Sequence, residues 1–122
     1  MSKKIVIIED EHDLAAALQE SLSQRGFVVR TASKGEEGIG IIKQDRPDII
    51  LLDLILPDMN GIDVLKALKP IRDEQNIPVI VLSNIDDPDE FKEAREYDIE
   101  EYLVKTDWRL DDVIAKIKSA LN

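Results

Sequence analysis

Cysteine is absent from the sequence, which excludes a disulfide framework and any thiolate metal site. A long hydrophobic run is also missing. The apolar stretch Ile5–Ile8 behind Lys3 and Lys4 is far too short for a signal-peptide core or a membrane span. Positive charge is scarce, with 16 Lys and Arg against 26 Asp and Glu and a net charge of −10. Nucleic acid and anionic lipid need basic patches, so the expectation is a soluble, cytoplasmic protein that binds neither directly. No low-complexity stretch or internal linker interrupts the chain, and residues 1–122 read as one domain.

Hydrophobic residues make up 43% of the chain, enough for a core at this length. Ile5-Val6-Ile7-Ile8 is β-branched without alternation, as expected of a strand buried on both faces. Leu14, Leu18 and Leu22 recur at helical spacing, and Arg25-Gly26 supplies a stop. Phe27-Val28-Val29 reads as a second strand. A helix over about 34–44 follows, weakened by Gly38 and Gly40 at about 1 kcal/mol each against alanine if exposed. Asp48–Asp53 is a third strand, and Pro57-Asp58-Met59-Asn60-Gly61 a turn. The next helix opens near Ile62, and Pro70 should end or kink it.

Pro78–Leu82 is a fourth strand. A mostly polar helix from about Pro88 to Tyr97 offers Phe91 and Ala94 as inward candidates. Tyr102-Leu103-Val104 is a short fifth strand. The last helix carries Leu110, Val113, Ile114, Ile117 and Leu121 on one face, with Thr106 or Asp107 able to cap it. Strands alternating with helices imply a parallel sheet covered on both sides. Right-handed crossovers make it doubly wound. The expected fold is therefore α/β: five parallel strands and five helices in a flavodoxin-like three-layer sandwich. Granting the strand order 2-1-3-4-5 of such folds, strands one and three meet at the topological switch point.

That order brings Glu9 and Asp10, which follow the first strand, to Asp53 at the end of the third. Carboxylates so placed need a cation, a raised pKa or bulk solvent. Hard oxygen donors without imidazole or thiolate suit Mg²⁺. Glu9 and Asp10 alone read as solvated loop acids; adding Asp53 at the end of an apolar strand makes the two readings about even. Two further strand ends favour chemistry: Ser83 offers a hydroxyl and Lys105 an ammonium. Carboxylates, hydroxyl and cation on one edge match phosphoryl transfer to a carboxylate, with Asp53 as nucleophile. His12, the single histidine, lies beside the acidic pair. It reads as an exposed turn residue in preference to a ligand or phosphohistidine. Trp108 reads as packing, and the acids of Asp86–Glu90 as a loop and helix cap.

The segments Ile7-Ile8-Glu9-Asp10-Glu11, Leu52–Gly61, Val81-Leu82-Ser83 and Tyr102-Leu103-Val104-Lys105, in this order, resemble the response-regulator receiver family over the whole chain. The resemblance implies Asp53 as phosphoacceptor and Asp10 as a direct Mg²⁺ ligand. It also implies the Ile55 backbone carbonyl as a further ligand and Glu9 acting mainly through water. Ser83 and Lys105 would contact the phosphoryl group, and Tyr102 occupies the aromatic switch position. The implied partners are a histidine kinase or histidine phosphotransfer protein, and an effector that docks on the fourth helix, fifth strand and fifth helix. The chain would be a monomer or a phosphorylation-dependent dimer, and would catalyse only its own phosphorylation and slow dephosphorylation.

The sequence departs from the family pattern at three places. Thr106 replaces the usual proline after Lys105, so that peptide is expected to be trans. Asn84 replaces a small residue, and Asp98-Ile99 a frequent Gly-Ala pair. Two other readings remain in view. An aspartyl-phosphate phosphatase of the haloacid-dehalogenase type also uses a nucleophilic Asp and Mg²⁺. It wants a second Asp two residues on, where this chain has Ile55, and a cap domain for which the chain leaves no room. A degenerate receiver would only bind a partner, against which the intact set Glu9, Asp10, Asp53, Ser83 and Lys105 argues.

Overall fold

A computed structural model describes residues 2–83, 87–105 and 109–121. The expectations attached to Asn84, to the Lys105–Thr106 peptide, to a Thr106 or Asp107 cap and to Trp108 lie outside these residues. Strands β1 (Lys4–Ile8), β2 (Val28–Ala32), β3 (Ile49–Asp53), β4 (Val79–Ser83) and β5 (Glu101–Val104) alternate with helices α1 (His12–Gln24), α2 (Gly35–Asp45), α3 (Gly61–Gln75), α4 (Pro88–Arg95) and α5 (Leu110–Leu121). The sheet is parallel throughout, in the order β2-β1-β3-β4-β5. The expected doubly wound fold is present.

The two faces of the sheet separate by the two-residue period of a strand. Val6, Ile8, Ile50, Leu52, Val79 and Val81 pack on α2, α3 and α4. Ile5, Ile7, Ile49, Leu51, Ile80 and Leu82 pack on α1 and α5 through Leu18, Leu22, Val113, Ile114 and Ile117. Strands β3 and β4 are buried end to end, which is why they show no alternation in sequence. Each such Ile, Leu or Val contributes about 1.5–3 kcal/mol on burial.

Several boundaries differ from the sequence reading. β2 runs on through Arg30-Thr31-Ala32, because pairing with β1 overrides the polar composition of that stretch. Pro70 does not end the third helix, which continues to Gln75. Pro70 is exposed, and so is Lys66, whose carbonyl loses the proline's missing N–H, so water can serve that carbonyl. Phe91 is not a core residue. It is 36% exposed and packs edge-to-face on Tyr102 with centroids 5.1 Å apart. Ala94 is therefore the buried anchor of α4.

The two α2 glycines differ in kind. A Cβ on Gly38 would meet Ile8 Cδ1 at 2.4 Å, whereas one on Gly40 would meet nothing within 4 Å. Gly38 lets the helix approach β1 closely; Gly40 only costs helix propensity. Gly40→Ala should raise stability by about 0.5–1 kcal/mol, while Gly38→Ala should lower it by about 1–3 kcal/mol through overpacking. Urea denaturation of the two variants checks both signs.

Candidate functional site

Register places the site. Ile8 pairs with Leu52, so Glu9, next along, flanks Asp53. Asp53 pairs with Leu82 and Ser83 pairs with Val104. Alternation then divides these residues between the faces. Glu9, Asp53 and Lys105 follow the phase of Ile7, Leu51 and Leu103, on the α1–α5 side. Ser83 and Tyr102 follow the phase of Val81, on the α4 side.

On the first side, Lys105 Nζ lies 2.6 Å from Glu9 Oε1 and 3.2 Å from Asp53 Oδ2, with Glu11 Oε1 at 3.7 Å. The lysine side chain is 8% exposed and those of Glu9 and Asp53 are 0% and 1%. The main-chain N–H of Ile55 donates to Asp53 Oδ1 at 3.1 Å and that of Glu11 to Glu9 Oε2 at 3.1 Å. The Glu9–Lys105 contact is an ion pair but not an aligned hydrogen bond. Glu9 Oε1 is thus a buried oxygen without a hydrogen-bond partner. Burial pushes the Glu9 carboxyl up to about 7; Asp53 adds to the rise, and Lys105 and the Glu11 N–H oppose it. Burial alone would lower the Lys105 ammonium, yet Glu9 and Asp53 raise it overall.

Asp10 is exposed and completes the cluster: one oxygen each of Glu9, Asp10 and Asp53 lie within 4.8 Å of one another. Three hard oxygens so placed suit a divalent cation that keeps part of its water shell.

The loop after Asp53 is held from several directions. Gly61 N–H donates to Leu54 O at 2.8 Å, and a Cβ on Gly61 would stand 2.4 Å from Leu54 Cα. The turn glycine is therefore required by close approach. Asp58 accepts from the N–H groups of Gly35 at 2.8 Å and Glu36 at 3.0 Å. These donors, Glu36 first, hold its carboxyl below the usual range and fasten the loop to the start of α2.

On the α4 side, Ser83 is fully buried. Its hydroxyl donates to Glu90 Oε1 at 3.1 Å, and the Tyr102 hydroxyl donates to the same oxygen at 3.0 Å. Burial pushes the Tyr102 phenol up to about 12; Ser83 lowers it and Glu90 raises it. Asp87 caps α4 by accepting from Asp89 N–H at 2.9 Å, as the acidic stretch suggests. Glu90 escapes a sequence reading because Asp87-x-x-Glu90 has capping-box spacing, which assigns its carboxylate to the helix's own end. Arg72 is also missed. Its guanidinium donates to the carbonyls of Ile77 at 3.0 Å, Tyr97 at 2.6 Å and Asp98 at 3.0 Å. Asp98 has φ +55°, the left-handed conformation for which glycine is the common choice. His12 is exposed.

A doubly wound parallel sheet with a cation-compensated acidic cluster at its carboxyl edge defines a class of small α/β switch domains. Within that class the chain belongs to the response regulator receiver domain family, whose model matches residues 5–118. It is 30% identical over 121 residues to sporulation initiation phosphotransferase F of Bacillus subtilis, covering 99% of this chain and 95% of that protein. It is 36% identical over 117 residues to transcriptional regulatory protein KdpE of Mycobacterium tuberculosis, covering 96% of this chain and 50% of that one. The chain thus spans about half the length of the transcriptional regulators it matches. A CheY-like receiver domain from Methanospirillum hungatei superposes with a TM-score of 0.89 at 22% identity over 99% of this chain and 94% of that one, a likeness of fold. The chain is a phosphorylation-dependent signalling switch and not a metabolic enzyme. No helix of the described residues is long and apolar enough to cross a membrane.

The raised Glu9 pKa sets a pH window. An acid whose folded pKa exceeds its unfolded value of 4.5 binds its proton more tightly when folded. Wild-type stability therefore falls, relative to a variant without the carboxyl, as pH rises from about 4.5 to about 7 and levels off above. With divalent cations chelated, the stability of Glu9→Gln minus that of wild type should increase across this window, by at most about 3 kcal/mol. Urea melts at pH 4.5, 6 and 8 check it; a flat difference would mean that Glu9 titrates normally.

Proposed function

We propose that Asp53 is the phosphoacceptor, and that the donor is a phosphohistidine on a histidine kinase or histidine phosphotransfer protein. The observation that carries this reading is the buried carboxylate of Asp53 held 3.2 Å from Lys105 Nζ at an acidic edge. An Asp53 carboxylate oxygen attacks phosphorus, the P–N bond of the donor breaks, and its electron pair returns to the imidazole nitrogen. Lys105 stays within reach to neutralise a phosphoryl oxygen, and the Ser83 hydroxyl donates to another once it turns to the edge. Asp10, Asp53 and the Ile55 carbonyl would hold Mg²⁺, with Glu9 acting through water, and the ion would neutralise charge on the transferring group. Water later hydrolyses the acyl phosphate slowly. The Ile55 side chain stands where a hydrolase of the haloacid-dehalogenase type needs a general acid, which disfavours fast turnover.

The output is a change of the α4–β5–α5 face presented to an effector protein or domain. Residues 1–122 act as one receiver domain, monomeric or dimerising on phosphorylation. The cytoplasm is its compartment, since its donors act there. With a net charge of −10, it makes no direct contact with nucleic acid or membrane.

Intact-mass analysis after acetyl phosphate and Mg²⁺ should show one phosphate adduct, and Asp53→Asn should abolish it. An adduct that survives the substitution refutes the assignment; no adduct on wild type favours a degenerate receiver. Asp10→Asn should leave the metal-free fold as stable as wild type or more so, because it relieves repulsion among carboxylates. In thermal melts with Mg²⁺, wild type should gain more than Asp10→Asn. Equal gains would remove Asp10 from the ligand set.

A further inference from the structure

The phase of the strands puts the Ser83 hydroxyl on the α4 side of the sheet, where it donates to Glu90 Oε1, while Asp53 and Lys105 stand on the α1–α5 side. The hydroxyl therefore has to leave Glu90 before it can serve a phosphoryl group on Asp53. Tyr102 is tied to the same carboxylate oxygen, so one atom of α4 holds both switch side chains. We propose that Glu90 is a latch: a positioning residue whose carboxylate competes with the phosphoryl group for the Ser83 hydroxyl, and whose release removes one bond from Tyr102 and loosens the first turn of α4. This rests on Asp53 being the phosphoacceptor.

The attachment of α4 supports it. The helix has one buried residue, Ala94. Past its C-terminal end, the Tyr97 and Asp98 carbonyls are clamped by Arg72 from α3. At its N-terminal end, Glu90 reaches the sheet through Ser83 and Tyr102. A helix pinned at one end and latched at the other pivots when the latch opens. Phe91, next along the helix, packs on the Tyr102 ring and carries Arg95 over its own ring at 5.4 Å. Movement of the first turn thus reaches the exposed face directly. Competition for a single hydroxyl makes the coupling reciprocal: whatever favours the latched state disfavours phosphorylation by the same factor.

The test measures labelling by acetyl phosphate with Mg²⁺ on the full chain, together with ¹⁹F NMR of 3-fluorotyrosine protein in which Tyr97→Phe assigns the Tyr102 signal. Glu90→Ala should label about three- to tenfold faster than wild type, the factor expected for losing one hydrogen bond of ordinary net strength. Its unphosphorylated Tyr102 signal should move toward that of phosphorylated wild type. Glu90→Gln, which keeps a neutral acceptor, should fall between. In a Ser83→Ala background Glu90→Ala should bring no acceleration, an outcome that a merely structural role would not produce. Asp89→Ala removes the same charge one residue away and should label at the wild-type rate. Labelling of Glu90→Ala at or below the wild-type rate, an equal acceleration by Asp89→Ala, or acceleration that persists without Ser83 would each overturn the latch. A wild type that takes no phosphate overturns the phosphoacceptor reading instead.

Discussion

The ammonium of Lys105, wedged between Glu9 and Asp53, is the interaction on which the carboxyl edge of the sheet depends. Two carboxylates that are almost wholly buried cannot both be ionised without a nearby cation. The lysine supplies that cation from the fifth strand, at 2.6 and 3.2 Å. Its compensation is incomplete: Glu9 remains pushed up to about 7 and one of its oxygens lacks a hydrogen bond. With exposed Asp10 counted, three carboxylates share the edge with one ammonium, an imbalance that a divalent cation would relieve. Such an edge meets the electrostatic demand of the proposed phosphoryl transfer, which would add negative charge there.

The geometry that makes this possible is a matter of parity along strands. Glu9, Asp53 and Lys105 fall on one phase of β1, β3 and β5, and Ser83 and Tyr102 on the other. A slip of one residue in any strand would move its functional side chain to the wrong face. The fully buried strands prevent such slips, because both phases are apolar and packed. The acidic cluster and the Ser83–Glu90–Tyr102 group are consequently separated by the thickness of the sheet and meet at its edge.

Most of this could be read from the sequence because the fold's signals are local. Unbroken runs such as Ile49–Leu52 mark buried strands, and the acids, hydroxyl and lysine sit at the ends of four of the five strands. What escaped depends on contacts between residues distant in the chain or on solvent. Pro70 breaks a rule of helix interiors, yet it and Lys66, whose carbonyl it orphans, are both exposed. Phe91 looks like a core anchor, but the Tyr102 ring meets it at the surface. Gly38 and Gly40 look alike until the approach of Ile8 separates them. Glu90 carries capping-box spacing, and that local pattern hides its long-range partners. Arg72 carries no local signal, since its acceptors are backbone carbonyls brought close only by folding.

The arrangement around α4 also bears on how little energy the switch has to move. A helix buried through several apolar side chains would cost several kcal/mol to displace, at about 1.5–3 kcal/mol for each. α4 buries Ala94 alone, so its position rests on polar contacts that can be exchanged for others of similar strength. Moving a two-state equilibrium from 1:99 to 99:1 takes about 5.5 kcal/mol of differential binding. Charge-assisted hydrogen bonds from Lys105 and Ser83 to a phosphoryl group, at about 1.5–3 kcal/mol each, reach that range. Under the proposed reading they would suffice because α4 is held by hydrogen bonds more than by apolar burial, so its sparse packing would serve the switch.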